Sequence, residues 1–336
     1  MASDPLIADI ACLLNEDVRN ITLSPTLGGG NNRIFIVDAA GRQLVAKSYF
    51  RHPSDTRDRL RAEFEFLTYA CKLGLNCVPR PIACSPARDM GLYEYIQGEQ
   101  LGPDSIDSGA IDQAIRFFLG INRKDGIELA ATLPRASEAC FSVSEHFALV
   151  DRRISRLATI PVTGGLDREA LEFVDALTGR WDSVKARIMK QLRHKSQDPG
   201  AGVAERCISP SDFGFQNAIL RPTGEICFLD FEYAGWDDPA KMAGDFFCHP
   251  AVPVPMVHIE HFLQETMRFS PQSAALIAHA RLLFPVFQTK WCCIILNDFL
   301  PHSAQRRKFA DPNFDEPQRK RAQLEKAKHL LDCIEY

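Results

Sequence analysis

Three residues have types and spacings suited to phosphoryl transfer: Asp212, Asn217 and Asp230. Asp212 and Asn217 stand five apart in SPSDFGFQN (209–217), a stretch rich in turn formers. A short apolar run follows, then the turn RPTG and a second run, EICFLD, that ends in Asp230. A loop would present Asp212, and the hairpin would return Asp230 to the end of that loop, beside Asn217. Phosphoryl transfer needs a carboxylate at the attacking hydroxyl, acidic or amide oxygens for magnesium, a cation on the phosphates and a backbone cradle around them. Asp212 takes the first role, and Asn217 with Asp230 the second. Asp230 is the hardest to dismiss, because it ends an apolar strand where a carboxylate needs a partner or a metal.

Asp212-Phe213-Gly214 offers a rival reading, since Asp-Phe-Gly carries the magnesium aspartate of protein kinases. That reading requires a D-x-x-x-x-N upstream. The nearest aspartate is Asp198, and five residues after it stands Val203. The triplet is therefore set aside, and Leu229-Asp230-Phe231 takes its place.

The other parts lie towards the amino terminus. LGGGNNRIF places Gly28, Gly29 and Gly30 where backbone N–H groups can approach phosphates. Lys47, in LVAKSYF, shares a strand face with Val45, and an ammonium there calls for an anion. Glu63 and Glu65, in EFEFL, both compete to pair with it. YEYIQG would cross to a second lobe, with backbone groups near Glu94 and Ile96 available to adenine.

The elements that must position these residues change in texture along the chain. RIFIV and QLVAKSYF alternate around the hairpin turn AAGR, RDRLRAEFEFLTYACKLGL has helical period, and VPRPIACSP and MGLYEYIQGEQL are extended. From about residue 105 the periodicity is helical, apart from the strands around 212–230. The expectation is an α+β, two-lobed arrangement. Residues 1–98 form a small antiparallel-sheet lobe with one main helix, preceded by an amphipathic amino-terminal helix. Residues 99–336 form a larger, mostly helical lobe.

Composition excludes several classes. The 336 residues are 46% hydrophobic, with net charge −4 and no basic footprint for nucleic acid. No apolar run reaches the roughly 18 residues that span a bilayer, and the amino terminus lacks a basic leader. The eleven cysteines form no C-x-x-C and mostly sit in apolar runs, as reduced thiols of a cytoplasmic protein do. No obligate protein partner is evident.

With these pieces in order, residues 20–250 resemble the aminoglycoside phosphotransferase and choline kinase superfamily, which has a protein-kinase-like fold. GGGNNRIFIV is similar to that family's phosphate loop, SDFGFQNAIL to its catalytic loop and FLDFEYAGWDDPAKMAGDF to its metal segment. The resemblance implies ATP and Mg2+ as cofactors. It also implies Asn31 in the phosphate loop, Glu63 rather than Glu65 as the partner of Lys47, and a structural role for Asp245. One departure stands out: the family loop reads His-Gly-Asp, where this chain has Pro210-Ser211-Asp212. The implied activity is phosphorylation of a hydroxyl on an amino alcohol, aminocyclitol or sugar-like substrate. The lost histidine motivates the alternative of a degenerate kinase fold that binds nucleotide or metabolite without turnover. Glu232, Asp237 and Asp238, with Tyr233 and Trp236, are candidates to meet a cationic amine on a small hydroxylated substrate. The carboxy-terminal helices would wall the acceptor pocket, and RRKFADPNFDEPQRKR is expected to be a solvated loop and helix start.

Overall fold

The computed structural model describes residues 5–26, 32–53, 55–311 and 315–334. Along the chain come α1 (Pro5–Leu14), β1 (Ile21–Pro25), β2 (Arg33–Ala39), β3 (Arg42–Ser48), α2 (Arg59–Lys72), β4 (Pro81–Ser85), β5 (Met90–Glu94) and β6 (Glu99–Gln100). There follow α3 (Ser108–Ile121), α4 (Val143–Leu157), α5 (Gly165–His194), β7 (Cys207–Ser209), β8 (Ala218–Leu220), β9 (Ile226–Phe228) and β10 (Gly235–Asp237). The chain ends with α6 (Pro239–Cys248), α7 (Ile259–Thr266), α8 (Ser273–Ile295), α9 (Pro301–Ala310) and α10 (Glu316–Asp332). These elements gather into two compact units. The first holds Met1–Gln100, Asn217–Tyr233 and Gln305–Phe314, and the second holds the rest.

The first unit is built on a five-stranded antiparallel sheet, ordered β1-β2-β3-β5-β4. β2 and β3 are joined by Ala40-Gly41, both at positive φ (53° and 81°), a turn whose twist matches that of the strands. Alternation then sorts the side chains. Val37, Ala39, Leu44, Ala46, Met90 and Leu92 form one buried layer with Ile10 and Ala11 of α1. Lys47, next in line after Ala46, must face the other way. α2 begins at Asp58, whose carboxylate accepts the Arg61 N–H at 3.0 Å, and buries Leu60, Glu63, Phe66, Leu67 and Ala70 along one stripe. β6, β8 and β9 make a separate small sheet in the same unit. The run 306–310 is helical, contrary to the solvated loop expected there. Its Phe309 packs on Phe50 (centroids 5.2 Å apart) and under the Arg33 guanidinium at 4.4 Å. An aromatic inside a basic run had a half-buried partner, Phe50, that local composition could not reveal. β1 was also missed, because ITLSP, although it alternates, is only five residues long.

The second unit is helical around α8, which packs against α4, α5, α6, α7 and α10. Among the described residues no helix is long and apolar enough to cross a membrane. α6 starts at Asp238, a fully buried cap. Its Oδ1 accepts the Ala240 N–H at 2.8 Å, while Oδ2 lies 3.0 Å from His146 Nε2 and 2.9 Å from His279 Nε2. A carboxylate there can only accept, so both imidazoles present N–H at Nε2. Burial would raise the Asp238 pKa, but the two histidines hold it below the ordinary value of 3.8. Burial likewise opposes charge on His279, yet its contact with Asp238 raises it above 6.5. A depressed carboxylate stabilises the fold above its unfolded pKa, and a raised histidine does so below its own. The pair therefore contributes most between pH ~4 and ~6.5, and its contribution fades as pH rises through the raised His279 value. His279→Gln should lower the melting temperature more at about pH 5.5 than at about pH 9. An equal loss at both would show that the contact does not depend on charge.

Candidate active site

In the first unit, Lys47 is 6% exposed and sits in the central strand β3. Its Nζ lies 2.7 Å from Glu63 Oε2 and also pairs with Asp230 Oδ1. Glu63 occupies the buried stripe of α2, while Glu65 turns outward to Arg61. The second Glu63 oxygen accepts the Phe231 N–H at 3.3 Å, and Tyr49 donates its hydroxyl to Oε2 at 2.6 Å. Tyr49 is in turn 2.7 Å from the Tyr93 hydroxyl. Room for that ring comes from Gly91, the strand partner of Lys47, where a Cβ would fall 2.3 Å from the Tyr93 hydroxyl oxygen.

Burial alone would depress the Lys47 ammonium, but Asp230, Glu63 and Glu232 together hold it well above its ordinary value. Asp230 shows the opposite imbalance. Burial, then repulsion from Glu232 and Glu63, outweigh Lys47 and push its carboxyl above the usual range. Three carboxylates therefore lie around one ammonium, with the Arg59 guanidinium also acting on Glu232. Among the described residues no three such side chains converge as a metal-binding group; Asp230, with its raised carboxyl, is the one whose charge a hard divalent cation would relieve. Asp230 also has φ = 64°, a left-handed backbone uncommon outside glycine and often found at working sites. Asn217 is its neighbour through the backbone, since its carbonyl accepts the Leu229 N–H at 2.8 Å. Phe231 fixes the far side of Asp230 by stacking on Phe66 of α2 at 4.5 Å.

In the second unit, Asp212 stands on a tightly braced loop. Asn122 clamps Ile208 on both sides: its Oδ1 accepts the Ile208 N–H at 2.8 Å and its Nδ2 donates to the Ile208 carbonyl at 2.9 Å. The Asp212 N–H returns to the Pro210 carbonyl at 2.9 Å around Ser211, whose φ is 66°. That three-residue turn with positive φ is the rarer, strained form. Lys241 Nζ steadies Ser211 Oγ at 3.2 Å and pairs with Asp237 at 2.6 Å and Asp245 at 3.3 Å. Asp245 also receives Lys290 and, at 2.8 Å, the Trp291 Nε1–H. Phe213 and Phe215 carry the loop into an aromatic core, with Phe213 4.8 Å from Phe246 and 5.6 Å from Phe117. Gly214 leaves space for Gln216, since a Cβ there would sit 2.3 Å from Gln216 Oε1. The Gln216 Nε2 then reaches 3.4 Å from the Asp212 carbonyl and 3.5 Å from its Oδ1. The Asp-Phe-Gly string is thus an anchor and a space, with its aspartate facing other company.

Gly28, Gly29, Gly30 and Asn31 lie outside the described residues. Glu94 has its N–H bonded to the Arg80 carbonyl at 2.9 Å and its carboxylate 3.1 Å from the Arg80 N–H; Ile96 is half-buried beyond the strand end. The residues set aside for a cationic amine are otherwise engaged. Glu232, Asp237 and Asp238 are at most 2% exposed, and Glu232 accepts Asn32 Nδ2 at 2.6 Å. The Tyr233 ring already takes the Arg57 guanidinium at 5.1 Å, and Trp236 Nε1 donates to the Ala130 carbonyl at 3.1 Å. Asn32, Lys241, His249, Lys290 and Trp291 went unread in the sequence. A lysine and tryptophan inside the apolar run FQTKWCCIIL were the available signal, because an ammonium there needs a carboxylate.

A model of the phosphotransferase enzyme family matches residues 22–241. The chain belongs to that family. Its fold is the α+β, protein-kinase-like one of solved phosphotransferases. The choline kinase LicA from Streptococcus pneumoniae aligns with a TM-score of 0.57 at 15% identity, over 98% of each chain. Plasmodium vivax ethanolamine kinase aligns with a TM-score of 0.57 at 14% identity, over 93% of this chain and 82% of that one. An ADP-bound aminoglycoside phosphotransferase aligns with a TM-score of 0.55 at 13% identity, over 98% and 97%. No curated protein matches the chain in sequence.

If the aromatic anchor sets the Asp212 loop, Phe213→Ala should cost about 3–5 kcal/mol in urea unfolding, as for a large buried ring. A loss below about 1 kcal/mol would mean the ring is not well packed.

Proposed function

We propose that the protein is an ATP-dependent kinase of small molecules, transferring the γ-phosphoryl group to a hydroxyl of an amino alcohol, aminocyclitol or sugar-like substrate. The carrying observation is the group around Lys47, in which Glu63 orients the ammonium and Asp230, Glu63 and Glu232 leave an excess of negative charge. Residues 1–98 are read as the nucleotide-binding lobe and 99–336 as the catalytic and acceptor lobe, with hairpin 217–233 bringing the metal ligands. Lys47 would neutralise phosphate oxygens, and Gly28–Gly30 with Asn31 would cover them. With its N–H committed to Arg80, Glu94 has only its carbonyl to offer adenine, leaving Ile96 to supply the N–H. Asp230 and Asn217 would hold Mg2+, which when bound supplies positive charge to the phosphate oxygens.

Asp212 would accept the hydrogen bond of the acceptor hydroxyl and aim its oxygen along the line of attack. The new P–O bond forms as the bond to the β,γ-bridging oxygen breaks, giving a phosphate monoester and ADP. The hydroxyl proton passes to Asp212 and on to solvent. Positioning matters more than basicity, since the transition state is loose. All eleven cysteines are unpaired, which supports the cytoplasm as the compartment.

The alternative, a binding protein without turnover, rests on Pro210 standing where the family has histidine. Asp212→Asn separates the two readings. It should lower ATP turnover by about 10²-fold or more while nucleotide affinity stays nearly unchanged. Full activity in that variant would remove Asp212 from the chemistry. The acceptor is found by incubating enzyme and ATP with pooled hydroxylated metabolites and looking in the mass spectrum for an added phosphoryl group.

A further inference from the structure

His249 closes α6 and places its imidazole beside Asp212, within the same unit. Its Nδ1 accepts the Ala251 N–H at 3.2 Å, so the proton of the neutral ring must sit on Nε2. Nε2 is the atom turned to Asp212, 3.6 Å from Oδ1. The ring is held edge-on against Trp291, centroids 4.5 Å apart, and Trp291 is itself tied by its Nε1–H to Asp245. Burial keeps His249 below its ordinary pKa, against the pull of Asp212 and Asp245, so the neutral, donating tautomer prevails near pH 7.

We propose that His249 is a positioning residue for Asp212: its Nε2–H, together with the Gln216 amide, fixes the carboxylate rotamer from which the acceptor hydroxyl is aligned. This rests on the kinase reading above. The separation of 3.6 Å is too long for a formed hydrogen bond, as is common at catalytic contacts in ligand-free sites, which tighten around substrate. It also gives the departure at Pro210 a counterpart. The loop is turned by a proline and Ser211, and its aspartate is steadied from α6 by a histidine that motif reading does not register. The linkage runs Asp245, Trp291, His249, Asp212, so the buried ionic core of the second unit sets where the carboxylate points.

The test follows inorganic phosphate released from ATP by the whole chain with water as acceptor; a wild type that releases none counts against the kinase reading and this inference with it. His249→Phe keeps a ring against Trp291 and removes the donor; His249→Gln removes the ring and offers an amide N–H at the position of Nε2. The phenylalanine variant should lose roughly 10- to 100-fold in kcat with KM for ATP unchanged, and the glutamine variant should recover most of it. Adding His249→Phe to Asp212→Asn should cost little more, because the histidine acts through the aspartate. A purely structural role would give the reverse order, with glutamine worse than phenylalanine and losses that multiply with Asp212→Asn. Either that order or an unaffected His249→Phe overturns the proposal. If Asp212→Asn hydrolyses ATP as well as the wild type, the kinase reading itself fails, and this inference with it.

Discussion

The placement of Lys47 in the central strand of the first unit constrains most of what surrounds it. A buried ammonium is tolerable only with carboxylates in contact, and breaking such a pair typically costs about 3–5 kcal/mol. Glu63 must therefore lie on the buried stripe of α2, and α2 must lie across that face of the sheet. Asp230 must arrive at the end of β9, in a left-handed backbone, to reach the same ammonium. Tyr49 donates to Glu63 and is itself met by Tyr93, for whose ring the missing side chain at Gly91 makes room. Once these demands are met, the cluster still carries more negative charge than Lys47 can neutralise. Under the proposed function a divalent cation would relieve that surplus, and the phosphates would then meet the cation and Lys47.

The two halves of the motif are stabilised by different physics. Asp230 is held by charge, with Phe231 beside it stacked on Phe66. Asp212 is held by packing and backbone geometry: two phenylalanines in an aromatic core, a strained turn at Ser211, and Lys241 reaching the Ser211 hydroxyl. A loop braced at so many points can keep one carboxylate in place without the histidine that the resemblance leads one to expect. The buried set of Asp237, Lys241, Asp245 and Lys290 is costly to form, and every member has a partner. It ties β10, α6 and α8 to the residue that precedes Asp212.

Much of this was legible in the sequence where a local rule had one solution. The turn AAGR marked the β2–β3 hairpin, and the hairpin expected after Asn217 and running to Asp230 is β8–β9. The choice between Glu63 and Glu65 was also available from periodicity, since Leu60, Glu63, Leu67 and Ala70 fall on one stripe and Glu65 does not. What stayed hidden depended on contacts distant in the chain. Asp238 stands in the sequence as a candidate to meet a cationic amine, and only the fold shows His146 and His279 closing on it. Glu232 likewise finds Asn32, two hundred residues away, and Phe309 finds Phe50. Short strands such as β7 and β10 carry too few residues for alternation to register, although their pairing sets the base of the Asp212 loop.

The central claim is that the Lys47–Glu63–Asp230 cluster is a metal-dependent nucleotide site. Calorimetric titration of ATP, with and without magnesium, into wild type and Asp230→Asn tests it most directly. The account predicts binding that requires magnesium and weakens by about tenfold or more in the variant. Binding of equal strength without magnesium, or unchanged by Asp230→Asn, would contradict it.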